Sequence, residues 1–222
     1  MINETLGTTF KTGDEIKGII LMSNVLDIQR TVSLLQNLGK VTEKQLAVGG
    51  CIGNIAHDSG DQTFSSLKDI LQTWEDFTEE EPGRHAHTVG LLFSGTAVKS
   101  ASVLLNRQVN TKGKVEAELK KLKTLDFHEK KSCAFMFACC GRGKNFYRGK
   151  GNVESEVFRT LFPNTPLLGI FGNGEIGLTY FPEKVKDTFM DPSASKKVKK
   201  GTYSANEFSH SFTTIFVMLS FQ

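Results

Sequence analysis

Cys139 and Cys140 stand side by side at the end of an apolar run, immediately before the glycine turn Gly141-Arg142-Gly143. A guanidinium group and free backbone N–H groups lower a thiol pKa, so this is where the chain would favour a cysteine thiolate. Residue alternation sends the two thiols to opposite faces, and Cys139 is expected to be the more reactive. The competing reading, at each position, is a small buried hydrophobe. A second glycine turn, Gly172-Asn173-Gly174 followed by Glu175, also closes an apolar run. Outward-pointing N–H groups in such turns form concavities that hold anions, although glycines at strand exits also serve the turn alone. The two turns are expected to converge on one recognition rim, with Arg142 offering a donor there.

Neither turn is a P-loop or a GxGxxG fingerprint, which disfavours a nucleotide enzyme. A thiol enzyme needs a histidine base, and His57, His85, His87, His128 and His210 all lack a local signature. In Arg84-His85-Ala86-His87 no carboxylate or thiol completes a ligand set, so no metal is expected. No cofactor is expected either, and no catalytic residue is assigned.

These residues need rigid elements to hold them. Lys17 to Ser23 reads as a strand, followed by a helix over Val25 to Leu38 with apolar residues at steps of three and four, which Gly39 is expected to end. Gln45 to Ile52 is a second apolar stretch, and Ser66 to Phe77 has helical periodicity with Ser66 and Asp69 as a cap. Thr78 to Arg84 (TEEEPGR) interrupts all periodicity and marks a boundary. The expected organisation is an N-terminal portion, 1–83, and a C-terminal domain, 84–222, with a polar insertion near 181–206.

Beyond that boundary, Thr88 to Phe93 and Ala97 to Leu105 are joined by Ser94-Gly95-Thr96 as a predicted hairpin. Lys114 to Leu125 is an amphipathic helix, with Glu116 and Lys120 at (i, i+4) on its solvent side. Ala134 to Cys140 is apolar on both parities, as a central strand must be. Asn152 is placed to cap a helix reaching Phe162, Leu167 to Phe171 reads as a buried strand, and Phe212 to Phe221 as a closing strand inside a sheet. Phe135, Phe137, Leu168, Ile170, Ile215 and Val217 are the expected interior. The fold class is α/β of mixed, α+β-like kind: layered mixed or antiparallel sheets with packed helices.

The 222 residues carry Lys+Arg 27 against Asp+Glu 24, a balance unlike the one-sided basic surface of a nucleic-acid binder. No apolar stretch approaches the roughly 20 residues of a membrane span. The first ten residues have neither a basic n-region nor an apolar h-region, so an intracellular setting, cytoplasm or nucleus, is expected, and the cysteine spacings give no disulfide framework. Lys196, Lys197, Lys199 and Lys200 read as a solvated loop, with a nuclear localisation patch as the competing reading.

Gly90-Leu91-Leu92-Phe93-Ser94-Gly95, Ala101 to Asn106, Phe135 to Gly143 (FMFACCGRG), Tyr147-Arg148, Lys150 to Glu154 and Phe171 to Gly177 (FGNGEIG) follow one another in order. Together they resemble the C-terminal part of a FIST domain, a family named for F-box and intracellular signal transduction. His210 to Thr214 resembles the family's last strand, and Leu46 to Asn54 is the clearest likeness before Arg84.

The resemblance is nearest to the F-box-bearing animal members. It implies a non-catalytic module that recruits a protein substrate for a cullin-type ubiquitin ligase, with proteasomal degradation as the outcome. Cys139, Gly141, Arg142, Gly143, Gly172, Asn173, Gly174 and Glu175 are the candidate binding residues. The residues before Lys17 fall short of the roughly 40 to 50 that a helical F-box would take, so ligase components are expected as partners only if that segment is supplied upstream. The second reading is a stand-alone sensory domain for a small anion or amino acid, and a thiol enzyme is the third. Neither nucleic acid nor membrane is expected as a partner.

Overall fold

A computed structural model describes residues 16–24, 28–41, 46–53, 88–182 and 205–222. The expected helix at Ser66 to Phe77, the boundary at Thr78 to Arg84, the Arg84 to His87 segment and the lysine cluster lie outside the described residues. Strand β1 (Ile16–Asn24), helix α1 (Ile28–Val41), β2 (Ala47–Gly53), β3 (Thr88–Ser94) and β4 (Val98–Leu105) come first. Helix α2 (Lys112–Lys123), β5 (Ser132–Cys139), α3 (Val153–Leu161), β6 (Leu167–Gly172) and β7 (Glu175–Gly177) follow. A short helix α4 (Ala205–Phe208), β8 (Ser209–His210) and β9 (Thr214–Phe221) complete the order.

The strands form a five-stranded sheet, β3-β1-β2-β7-β8, and a four-stranded sheet, β4-β9-β5-β6, both mixed. The expected mixed, layered α/β architecture is what forms. Ile20, Ala47, Phe137, Ile215, Val217 and Leu219 fill the space between the sheets. The outer face of the four-stranded sheet is covered by α2 and α3 through Val115, Leu119, Leu122, Val157 and Phe158, the last stacked on Phe216. Leu35, Leu38 and Phe208, from α1 and α4, cover the other outer face. β5 and β9 read apolar on both parities because each lies inside its sheet with a layer on both sides.

Several expectations are corrected. β3 and β4 are not a hairpin: β3 pairs antiparallel with β1, and β4 pairs antiparallel with β9 in the other sheet. The chain does reverse there, but as an arch from one sheet to the other, so that β4 packs across the interior against β1 and β2 rather than exchanging ladder hydrogen bonds with β3. Turn chemistry specifies a reversal and leaves open which sheet takes the returning strand. Helix α1 continues through Gly39 to Val41, since a glycine inside a packed helix costs only about 1 kcal/mol.

Asn152 does precede α3, but with φ 57° and no side-chain cap. It serves as a left-handed backbone residue, a conformation asparagine tolerates. β6 is an edge strand, and Leu168 is therefore 57% exposed. Phe137, Ile215 and Val217 are buried as expected, while Phe135 and Ile170 are half-buried. Glu116 and Lys120 pair at 2.8 Å on the outside of α2, as their spacing indicates.

Candidate functional site

Antiparallel and parallel pairings together bring the C-terminal ends of β1, β2, β4, β5, β6 and β8 to one end of the molecule, with the N-terminal ends of β7 and β9. Both glycine turns therefore lie on one rim. β5 and β6 run parallel with Cys139 opposite Gly172, and the Cys140 Sγ is 4.0 Å from Asn173 Oδ1. The second turn is tied to the other sheet: Ile52 N donates to Gly174 O at 2.8 Å, and Asn173 N donates to Ile52 O at 2.6 Å. Gly174 makes the crossing at φ 141°, a region closed to residues with a side chain.

The roles inside this rim differ from the expected ones. Arg142 is not a surface donor; its side chain is fully buried. Nε and Nη2 donate to Glu154 Oε1 at 2.9 and 2.6 Å, and Nη2 also reaches Tyr147 Oη and Val109 O, both at 2.9 Å. Nη1 donates to Asn106 O at 3.0 Å and Phe212 O at 3.2 Å. The guanidinium lies 4.5 Å from the Phe146 ring centroid. One residue thus ties together the loop after β4, the loop after β5, the first turn of α3 and the entry to β9.

Glu154 completes the cluster, with Tyr147 Oη donating to Oε1 at 2.5 Å and Thr214 Oγ1 to Oε2 at 2.8 Å. Burial pushes the Tyr147 phenol far up, and the Glu154 carboxyl beside it adds to the shift. Arg142→Ala is therefore expected to destabilise the fold, because removing one partner of a buried pair strands the other.

Glu175 is buried too. Its Oε2 accepts from Thr213 N at 3.1 Å and from Thr213 Oγ1 at 2.7 Å, while Oε1 has no hydrogen-bond partner among the described residues. Burial raises its pKa, partly offset by the Thr213 hydrogen bonds. Cys51, directly across from Glu175 in the β2–β7 pair, is pushed up to about 11 by burial and by the Glu175 charge. The Cys139 thiol is likewise raised, by burial first, against the opposing backbone hydrogen bonds of Gly141 and Phe212. Cys139 is buried and Cys140 exposed, so the environment does not favour Cys139 as the more reactive thiol.

One residue at the centre of the rim carries no sequence signal. Phe212 has φ 56° and is 42% exposed, a left-handed conformation that costs a bulky residue about 1–3 kcal/mol. The peptide that follows it is gripped at both ends: Arg142 donates to Phe212 O, and Glu175 accepts from Thr213 N. The ring lies against Gly141, where an added Cβ would come within 2.8 Å of it, and the Arg107 guanidinium sits 5.1 Å from its centroid. A buried guanidinium and a buried carboxyl group hold the strained turn, and an aromatic ring is the group they present.

The segment that builds most of this rim has a family match. Residues 83–178 match the FIST C domain. This confirms the resemblance carried by the FMFACCGRG and FGNGEIG blocks, and the FIST C segment contains Arg142, Tyr147, Glu154 and Glu175. The chain is also 53% identical over 89 residues to F-box only protein 22 of Homo sapiens, and 52% identical over 89 residues to that of Pongo abelii. The alignments take in 40% of this chain and 22% of each relative, so the chain spans about a fifth of their length. No helix among the described residues is long and apolar enough to cross a membrane. Those residues also hold no cluster of three metal-ligating side chains.

Tyr147 and Glu154 lie within the sequence blocks shared with the FIST family, but their spacing from Arg142 does not announce a shared hydrogen-bond cluster. Thr213 and Thr214 read only as strand residues.

Proposed function

We propose that this chain is a non-catalytic recognition module, the part of an F-box-type receptor that holds a protein for ubiquitination and proteasomal degradation. The observation that carries the reading is the 53% identity to an F-box only protein, together with the FIST C match over residues 83–178. The chemistry of the rim supports it. Arg142 spends its donors on the fold, and burial keeps the Cys139 thiol protonated, so these groups act as a scaffold. Its partners are a protein substrate and, where an F-box precedes this region, cullin-type ligase components, in the cytoplasm or nucleus.

The test is quantitative proteomics on cells with and without the gene product. Proteins that co-purify with the tagged full-length product and turn over more slowly after its depletion support the role. Co-purifying proteins whose half-lives are unchanged, with or without proteasome inhibition, contradict it.

A second reading has one observation behind it. The partnerless Glu175 Oε1 beside the Gly172 to Gly174 turn suits the ammonium group of a small amino acid better than an anion. Saturable thermal stabilisation by free amino acids, lost in Glu175→Gln, is its signature.

A further inference from the structure

The rim loops carry an unbalanced charge that the buried network does not use. In segments 106–111, 140–152, 171–174 and 211–213 the exposed ionisable side chains include Arg107, Lys144, Arg148 and Lys150, and these segments contain no aspartate or glutamate. None of the four forms an ion pair with a carboxylate among the described residues. Lys112 and Lys114 extend the same sign into the first turn of α2, and the nearest solvent-reaching carboxylates along the chain belong to the helices: Glu116 of α2, which pairs with Lys120, and Glu156 of α3. The protein as a whole is nearly balanced, at +3, so this cationic cluster is local.

Phe212 stands within it, half-exposed, with Arg107 stacked on its ring. An exposed aromatic costs binding free energy when its own conformation must first be ordered. Here the cost has been met in advance, because Arg142 and Glu175 hold the peptide after Phe212 from its two ends. Aromatic residues and arginine dominate the energetics of protein interfaces, and surrounding charges set encounter rate and partner choice.

We propose that this rim, centred on Phe212, binds an acidic segment of a partner protein, with an apolar side chain of that segment against the Phe212 ring and its carboxylates on Arg107, Lys144 and Arg148. The assignment rests on the recognition reading above and adds to it the chemistry of what is recognised. A surface of this kind attracts its partner over about one Debye length, roughly 8 Å at physiological ionic strength, so binding weakens with salt.

The test uses the full chain and a fluorescein-labelled synthetic peptide of glutamates around one central leucine, with a lysine-for-glutamate peptide and a polyuridine oligonucleotide as controls. The expected result is saturable binding of the acidic peptide alone. It should weaken about tenfold or more in the combined variant Arg107→Glu, Lys144→Glu, Arg148→Glu, and severalfold in Phe212→Ala. Each variant is required to melt as the parent does; Phe212→Gly, which keeps the left-handed conformation without strain, replaces Phe212→Ala if that variant unfolds.

Absence of saturable binding, equal binding of the lysine peptide, or charge-reversed and Phe212 variants that bind like the parent would each overturn the proposal. Polyuridine that binds more tightly and displaces the peptide overturns it in favour of nucleic acid. The peptide readout needs no ligase. A charge-reversed chain that loses the peptide in vitro but still speeds the turnover of the same cellular proteins refutes the acidic-segment assignment and leaves the recruiting role standing. If no cellular protein is recruited by either chain, the recruiting role falls whatever the peptide does.

Discussion

Glu154 and Glu175 are two carboxyl groups buried at the same end of the molecule, and they are treated in opposite ways. Glu154 lies on the helix-covered side of the four-stranded sheet, where Arg142, Tyr147 and Thr214 satisfy both of its oxygens. Glu175 lies in the β7 strand of the other sheet, faces two thiols, and has one oxygen with no partner. A fully partnered buried charge fixes geometry, whereas burial of a half-partnered carboxyl raises its pKa. The peptide between Phe212 and Thr213 is attached to both, by its carbonyl to Arg142 and by its N–H to Glu175. The rim therefore has one rigid anchor and one titratable anchor.

Removing the rigid anchor should have the largest effect. Arg142→Ala should cost about 3–5 kcal/mol in a denaturant melt, because it leaves Glu154 buried without its cation and frees four loop contacts. That is as large as Phe137→Ala, about 3–5 kcal/mol for a buried aromatic between the sheets. A loss below about 1 kcal/mol for Arg142→Ala would show that water replaces the network and erase the distinction between the two carboxyls.

Tyr147→Phe is the next step down. It deletes one hydroxyl from the same cluster while keeping the ring, so about 1–2 kcal/mol is expected. Because Arg142 and Tyr147 share Glu154, the double variant Arg142→Ala, Tyr147→Phe should lose less than the sum of the two. Strict additivity would mean that the cluster is not one unit.

Glu175→Gln should behave differently in sign. The folded-state pKa of Glu175 lies above the ordinary value of 4.5. The native state thus binds this proton more tightly than the unfolded chain does, and the resulting stabilisation is present below the unfolded pKa and lost as pH rises through the folded one. Glu175→Gln removes that slope. Melts from acid to neutral pH should show the parent losing stability relative to the variant, and parallel curves would contradict the titratable anchor.

The smallest effect is kinetic: brief alkylation of the native protein, mapped by peptide mass, should label the exposed Cys140 ahead of Cys139 and Cys51. Label on Cys139 first would mean that the rim opens at that strand end.

The strands that anchor this comparison were legible because burial on both faces leaves a mark in sequence, and β5 and β9 are apolar on both parities. Convergence of the two glycine turns was legible for a related reason, since neighbouring strands ending on one side share a rim. The arch between β3 and β4 was not, because a short turn encodes reversal and not the choice of sheet. Arg142 was visible as a residue and invisible in its role. Its acceptors Asn106, Val109 and Phe212 are backbone carbonyls 36, 33 and 70 positions away, and a carbonyl has no residue type. The conformation of Phe212 is imposed by those same contacts, against the propensity of a bulky aromatic.

The most direct measurement follows the amide of Thr213 by two-dimensional NMR while pH is raised from about 4 to about 9, a range that brackets raised carboxyl values. If Glu175 holds that N–H as the titratable anchor, the Thr213 resonance shifts with a midpoint above 4.5, and the shift disappears in Glu175→Gln. A Thr213 resonance that stays fixed across the range, or moves identically in Glu175→Gln, would contradict the two-anchor account of the rim.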